Sequence, residues 1–262
     1  IPKPERELDK TYTEEPAQDG DRMVTVRRVG EVAVAILGYH IPAGGHPDYA
    51  TVDVLTTIMA SEPSGRLYEA LVKRRLAAGV FGSSFALHDP GIVLFGSQAA
   101  PGTEGSTMLQ NLIETVEGAG DQPFTEEEVE RARQEMLRQR EIQVADSQSL
   151  AVQLSDWAAQ GDWRLFFIYR DQLEKVTAED VNRAAATYLV RSNRTAGLFE
   201  PTKEAERASI PPAPDLAEMI GDYAGRSDVA QGEEFDASPQ GIESRLERAI
   251  LSSGIKVTLL PR

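Results

Sequence analysis

Residues 80–98 read VFGSSFALHDPGIVLFGSQ. Two β-rich runs, 80–87 and 92–98, flank His88-Asp89-Pro90-Gly91, and a proline beside a glycine marks a chain reversal. A hairpin results, and it commits the middle of the chain to antiparallel pairing. Outward toward the N-terminus, Leu67, Ala70 and Leu71 sit at helical spacing after Pro63-Ser64-Gly65. Tyr49, Val52, Leu55, Ile58 and Met59 show the same spacing before it, so two helices are expected. Farther out, residues 23–29 and 32–41 are β-rich around Gly30-Glu31 and predict another hairpin with a tight turn.

Toward the C-terminus, Met108, Leu112, Ile113 and Val116 form a helical stripe within 107–117, which Gly118 and Gly120 help to stop. Thr125-Glu126-Glu127-Glu128 has the form of a capping box, and Val129, Ala132 and Met136 mark the buried stripe of the helix it opens. Further helices are expected near 147–160, 163–174 and 178–190, the last opened by Thr177-Ala178-Glu179-Asp180. Thr195-Ala196-Gly197-Leu198-Phe199 is a short strand. This order predicts an α+β fold, a largely antiparallel sheet with helices packed on one face.

Composition narrows the function classes. Of 262 residues, 27 are Lys or Arg and 42 are Asp or Glu, a formal charge of −15. Phosphate contacts need clustered cations, so nucleic acid is disfavoured as a partner, and so is an anionic membrane surface. With no cysteine, thiolate chemistry, disulfides and sulfur-ligated metals drop out together. No apolar run approaches the roughly 20 residues that span a bilayer.

Four segments are expected. Residues 1–21 hold three prolines and seven acids and read as an extended, solvated leading segment. Residues 22–200 form the α+β domain. Residues 201–241, with five prolines and nine acids against three basic residues, read as a linker, carrying a weak amphipathic turn at Leu216, Met219, Ile220 and Tyr223. Residues 242–262 end in the hairpin signal of 246–251, Ser252-Ser253-Gly254 and 255–260. Two apolar strands cannot bury both faces alone, so this hairpin reads as the opening of a truncated next domain, with self-association through its edge as an expectation.

No residue takes a catalytic, cofactor-binding or metal-binding role on these grounds. His40, His46 and His88 stand in neither His-x-x-Glu-His nor its reverse, the spacing that sets two imidazoles on one helix face with a carboxylate beside the metal-bound water. His40 ends a strand and His46 lies in a Pro/Gly loop; two such ligands without a placed carboxylate rarely hold zinc. Ser64, Ser83, Ser84 and Ser97 lie in no nucleophile elbow and no Ser-x-x-Lys motif. Pro42-Ala43-Gly44-Gly45-His46 lacks the Lys-Ser/Thr of a phosphate loop. Glu126-Glu127-Glu128 opens a helix, where acids meet the dipole favourably, and Lys73-Arg74-Arg75 suits a helix C-terminus in the same way.

Residues 39–50, YHIPAGGHPDYA, and then Ser64-Gly65-Arg66-Leu67-Tyr68-Glu69-Ala70-Leu71, resemble the non-catalytic second domain of long insulinase/pitrilysin-type zinc metallopeptidases. Residues 125–132 resemble a helix start later in that domain, and 246–261 the first hairpin of the next repeat. The resemblance implies a clamshell of two homologous halves, each of two similar α+β domains. Zinc is held there by an inverted His-x-x-Glu-His motif and a more distant Glu, all in the first domain and none in this sequence. The family's zinc-facing domain also supplies an Arg and a Tyr that contact the substrate carbonyl. Aligned on Leu71, those places hold Val72 and Gly79, so the pair is missing here, as suits a second domain.

The implied function is that of a piece of a zinc-dependent peptidase, forming chamber wall and supporting a zinc domain elsewhere in the parent, with no cofactor of its own. Its expected partners are the remaining domains and, in the parent, a peptide substrate; a bacterial periplasmic or secreted setting is preferred. Two other classes stay open: a structural or peptide-binding subunit of a catalytically inactive relative, and an unrelated acidic α+β interaction domain.

Overall fold

The computed structural model describes residues 17–226 and 235–261. The chain divides into two units, residues 1–206 and 207–262. Of the expected leading segment, residues 1–16 lie outside the described residues.

In the first unit, strands β1 (Arg22–Val29), β2 (Val34–Ile41), β3 (Ala77–Phe85), β4 (Gly91–Ala99) and β5 (Arg194–Thr202) form a sheet in the order β1-β5-β2-β4-β3. Neighbours run antiparallel except β1 and β5, which are parallel. The α+β class, the mainly antiparallel sheet and the β3–β4 hairpin are as the sequence predicts.

Side-chain alternation sets the layers. Ala35, Leu37, Tyr39 and Ile41 of β2, Val93 and Phe95 of β4, and Ala196 and Leu198 of β5 are all buried on one face. Each fully buried Leu or Val contributes about 2 kcal/mol, so a one-residue slip that turned this set to water would cost the sheet its register. Helices cover this face: α1 (Tyr49–Ala60) lies against β3, and α2 (Gly105–Glu117) across β2, β4 and β5. Behind them, α3 (Glu126–Ala145), α5 (Leu165–Leu173) and α6 (Ala178–Tyr188) pack onto α1, and α4 (Ser147–Ala159) packs on α3 and α5. The expected capping box forms between Thr125 and Glu128, and the helix start expected at Thr177 is closed by a second one with Asp180.

Two expectations are corrected. Residues 23–41 form no hairpin, because β5 lies between β1 and β2. A strand between two neighbours must bury its inner side chains. β5 offers Ala196 and Leu198, whereas β1 carries Arg22, Arg27 and Arg28 and is exposed throughout, which suits an edge. The connection crosses the end of β5 at Gly30, whose N–H donates to the Thr202 carbonyl at 3.3 Å. A Cβ at Gly30 would stand 2.8 Å from the Phe199 ring, so a larger residue at the crossing would have to push that ring aside. The helix expected from Leu67 is a five-residue π-helical turn, Tyr68–Val72, closed by a left-handed Arg75 at φ 59°.

In the second unit, α7 (Leu216–Ile220) forms the expected amphipathic turn, with Asp215 capping the amides of Ala217 and Glu218. A short helix that the sequence reading missed, α8 (Pro239–Arg245), is capped by Ser238 with proline at its start. The terminal hairpin forms as expected: β6 (Glu247–Ile250) pairs antiparallel with β7 (Lys256–Leu259).

Candidate functional site

The sheet's second face carries no described helix of the first unit. Val24, Ile36, Ile92, Phe81 and Phe85 point to it, each between 38% and 53% exposed. Where Gly38 and Gly197 remove side chains, a shallow apolar trough of about 310 Å³ forms, walled by Val24, Ile36, Ile92 and Leu94. Single exposed apolar residues are ordinary; a contiguous set on one sheet face marks a surface made to be covered or to meet an apolar ligand.

Beside this face, past the outer strand β3, a groove of about 540 Å³ separates β3 from α1, lined by Asp53, Thr56, Thr57, Ser61, Ser83 and Ser84. Asp53 rises from the middle of α1 into a cluster of hydroxyls. Ser84 Oγ donates to Asp53 Oδ1 at 2.6 Å, Tyr169 of α5 donates to Oδ2, and the Tyr49 hydroxyl lies 3.3 Å from Ser84 Oγ. Tyr49, Trp157 and Tyr169 pack against one another edge-on or tilted, with ring centroids 5.4–6.4 Å apart. Burial raises the Asp53 carboxyl above its ordinary value, against the two hydroxyl bonds, which lower it. Burial, and next the charge of Asp53, push the Tyr169 phenol well above its usual range. Sequence reading missed this cluster. Its one local signal is the single charged residue of α1, set between Val52 and Val54; Tyr169 arrives from 116 residues away.

The singled-out residues take structural places. His40 Nδ1 lies 3.3 Å from Asn193 Oδ1, while Asn193 Nδ2 donates to the His40 carbonyl at 2.9 Å. His46 Nδ1 accepts from the Asp48 amide at 3.0 Å, and His88 is exposed beside Asp89. The loop at 42–46 leads into α1, where Asp48 accepts Nη1 and Nη2 of Arg183 at 3.0 and 2.8 Å and the Tyr188 hydroxyl at 2.7 Å. The Arg183 hydrogen bonds hold the Asp48 carboxyl below its ordinary value, despite partial burial.

Glu128 caps α3 and pairs with Arg66 at 2.9 Å, and Lys73 pairs with Glu69 on the π-helical turn. Ser97 is buried in the core and Ser84 serves Asp53, so neither is a free nucleophile. Val72 packs against the core, and Gly79 sits at an irregularity of β3. Among the described residues no three of His, Asp and Glu come close enough to hold a metal ion, so the donor set does not fit zinc. No described helix is long and apolar enough to cross a membrane.

Comparison with known proteins identifies the family to which this layered domain belongs. Residues 1–136 match the peptidase M16 inactive domain. The inactive peptidase domain of a candidate zinc protease from Bordetella parapertussis is 45% identical, with a TM-score of 0.64 over 71% of this chain and 99% of that one. A protease from Helicobacter pylori is 25% identical, with a TM-score of 0.71 over 75% of this chain and 48% of its own. The zinc protease PqqE of Helicobacter pylori is 25% identical over 199 residues, and the match spans 45% of its length. The chain therefore belongs to the peptidase M16 inactive domain family, and so to the insulinase/pitrilysin-type metallopeptidases that its motifs resemble. This removes the reading as an unrelated acidic interaction domain.

Proposed function

We propose that this chain is the non-catalytic wall of a zinc-dependent peptidase, holding the shape of a substrate chamber while a domain elsewhere in the parent supplies the metal. The observation that carries the proposal is the one-sided layering of a family member: the described helices of the first unit all pack on one sheet face and leave the other, apolar one to be covered from outside that layer. Such a face suits an enclosed space, where extended peptide segments lie against apolar side chains, better than open water. Zinc would belong to the parent, where it activates the water that attacks the peptide. In this reading residues 201–241 link the domain to its C-terminal neighbour, and the hairpin of 242–262 opens a further domain or, without one, pairs with a second copy.

Cleavage of a mixed peptide library, monitored with and without a chelator on this chain and on its full-length parent, tests the proposal. Chelator-sensitive activity in the parent alone is the expected result. Stoichiometric zinc with chelator-sensitive cleavage by this chain alone overturns it. Inactivity of both favours a peptide-binding or structural subunit instead.

A further inference from the structure

We infer that the groove between α1 and β3 binds an organic cation, the guanidinium or alkylammonium group of an arginine- or lysine-type side chain, with Asp53 as its counter-ion. The inference concerns this chain's own groove and does not rest on peptidase activity in any longer protein.

Asp53 differs from the other partly buried acids of the first unit. Asp48, Glu117 and Glu128 are each paired with an arginine, Arg183, Arg194 and Arg66 respectively. Among the described residues no Lys, Arg or His stands within ion-pair distance of Asp53, and its neighbours are hydroxyls. A carboxylate sunk among apolar and hydroxyl groups without a cation is costly, and an entering cation relieves that cost. Two hydroxyl donors use half of a carboxylate's roughly four lone-pair sites, which leaves room for a further N–H pair.

The groove wall selects for donors. The hydroxyls of Thr56, Thr57 and Ser61 already donate to the carbonyls of Val52, Asp53 and Thr57, at 2.8, 3.0 and 2.7 Å. With their protons committed, these oxygens have only lone pairs left to offer. No basic side chain lines the groove, so nothing in its wall would offset the charge of a ligand anion. Val80 and Ala60 supply an apolar wall for a methylene stem, as long basic side chains require when their charge reaches a polar end. Since β3 is the sheet's outer strand, no further strand of the first unit closes the groove on its far side.

The test titrates the 262-residue chain into fluorescein-labelled, N-acetylated alanine-glycine peptides carrying one arginine, one lysine or one citrulline, read by anisotropy. Spermidine and potassium chloride serve as competitors. The arginine and lysine peptides should bind saturably, with citrulline and Asp53→Asn each weakening binding by about tenfold or more. Equal binding of arginine and citrulline peptides, no saturable binding, or full arginine binding by Asp53→Asn overturns the inference. Competition by spermidine supports the shared ammonium chemistry and points to a free amine as source; stoichiometric displacement by potassium overturns the assignment in favour of an inorganic ion. If Asp53→Asn fails to fold, Ser61→Phe, which blocks the groove and leaves Asp53 in place, should cause the same loss. Unchanged binding by Ser61→Phe likewise overturns the inference.

Discussion

Arg194 and Glu117 form an ion pair, Nη1 to Oε1 at 2.6 Å, that ties the first residue of β5 to the last residue of α2. Tyr39 donates to the same Glu117 oxygen at 3.2 Å, and Asp21 meets Arg194 Nη2 at 3.0 Å. Arg194 is 9% exposed, so removing Glu117 leaves its charge with one partner, the exposed Asp21. Glu117→Ala should cost about 2–3 kcal/mol, below the full cost of stranding a buried charge because Asp21 remains. Urea unfolding measures it; a loss under about 0.5 kcal/mol, on the scale of exposed pairs, would show the pair to be a surface ornament.

A Cβ at Gly96 would stand 2.1 Å from the Phe81 ring, which covers that glycine from the neighbouring strand. Phe81 is 44% exposed, so its ring can swing aside. Gly96→Ala should therefore destabilise modestly, by about 1 kcal/mol, and the cost should vanish in a Phe81→Ala background. Additive losses in the double-mutant cycle would mean that the glycine serves the backbone rather than the ring.

Thr125→Ala removes one side of the α3 capping box and should cost about 1 kcal/mol, with Thr125→Ser close to wild type. Glu128→Ala should cost more, because the same carboxylate also holds Arg66. Burial pushes the Glu128 carboxyl up, but Arg66 and Thr125 outweigh it and hold the group below its ordinary value. For a depressed acid, the stabilisation is present above the unfolded value, near about 4.3, and is lost as pH falls through the folded one. Denaturation midpoints between about pH 5 and pH 2 should thus fall less steeply in Glu128→Ala than in wild type; parallel curves would contradict the assignment.

Asp53 has the opposite sign. Its folded value is raised, so its contribution is present below the unfolded value, near about 3.9, and is lost as pH rises through the folded one. Asp53→Asn should unfold at the same or a higher temperature than wild type at about pH 8, and its stability should change less as pH climbs from about 4 to 8. A variant that is less stable at pH 8 than at pH 4, relative to wild type, would show that the carboxylate stabilises the fold.

Much of this was legible in the chain. The β3–β4 hairpin arises from local chemistry, since Pro90-Gly91 and the flanking β-rich runs act within a few residues of each other. The same holds for the capping boxes at Thr125 and Thr177 and for the terminal hairpin. The missing metal spacing around His40, His46 and His88 could be read the same way, because ligand pairs on a helix announce themselves at short range.

What only the tertiary structure decided acts at long range. Whether residues 22–29 pair with 34–41 or with 194–202 depends on which strand better tolerates a central place, and the competitor lies more than 150 residues downstream. The Asp53–Ser84–Tyr169 cluster joins α1, β3 and α5, and no spacing rule connects them. The open apolar face is likewise a property of the packed sheet, since alternation alone shows that a strand has two faces but not which one the helices will cover. Sequence by itself determined most element types, the turns of the β3–β4 and terminal hairpins and the lack of a His-x-x-Glu-His spacing, because those are decided by neighbours along the chain. Strand order, the buried acid without a cation and the uncovered face were decided by folding, because each depends on free energies between groups that only the folded chain brings into contact.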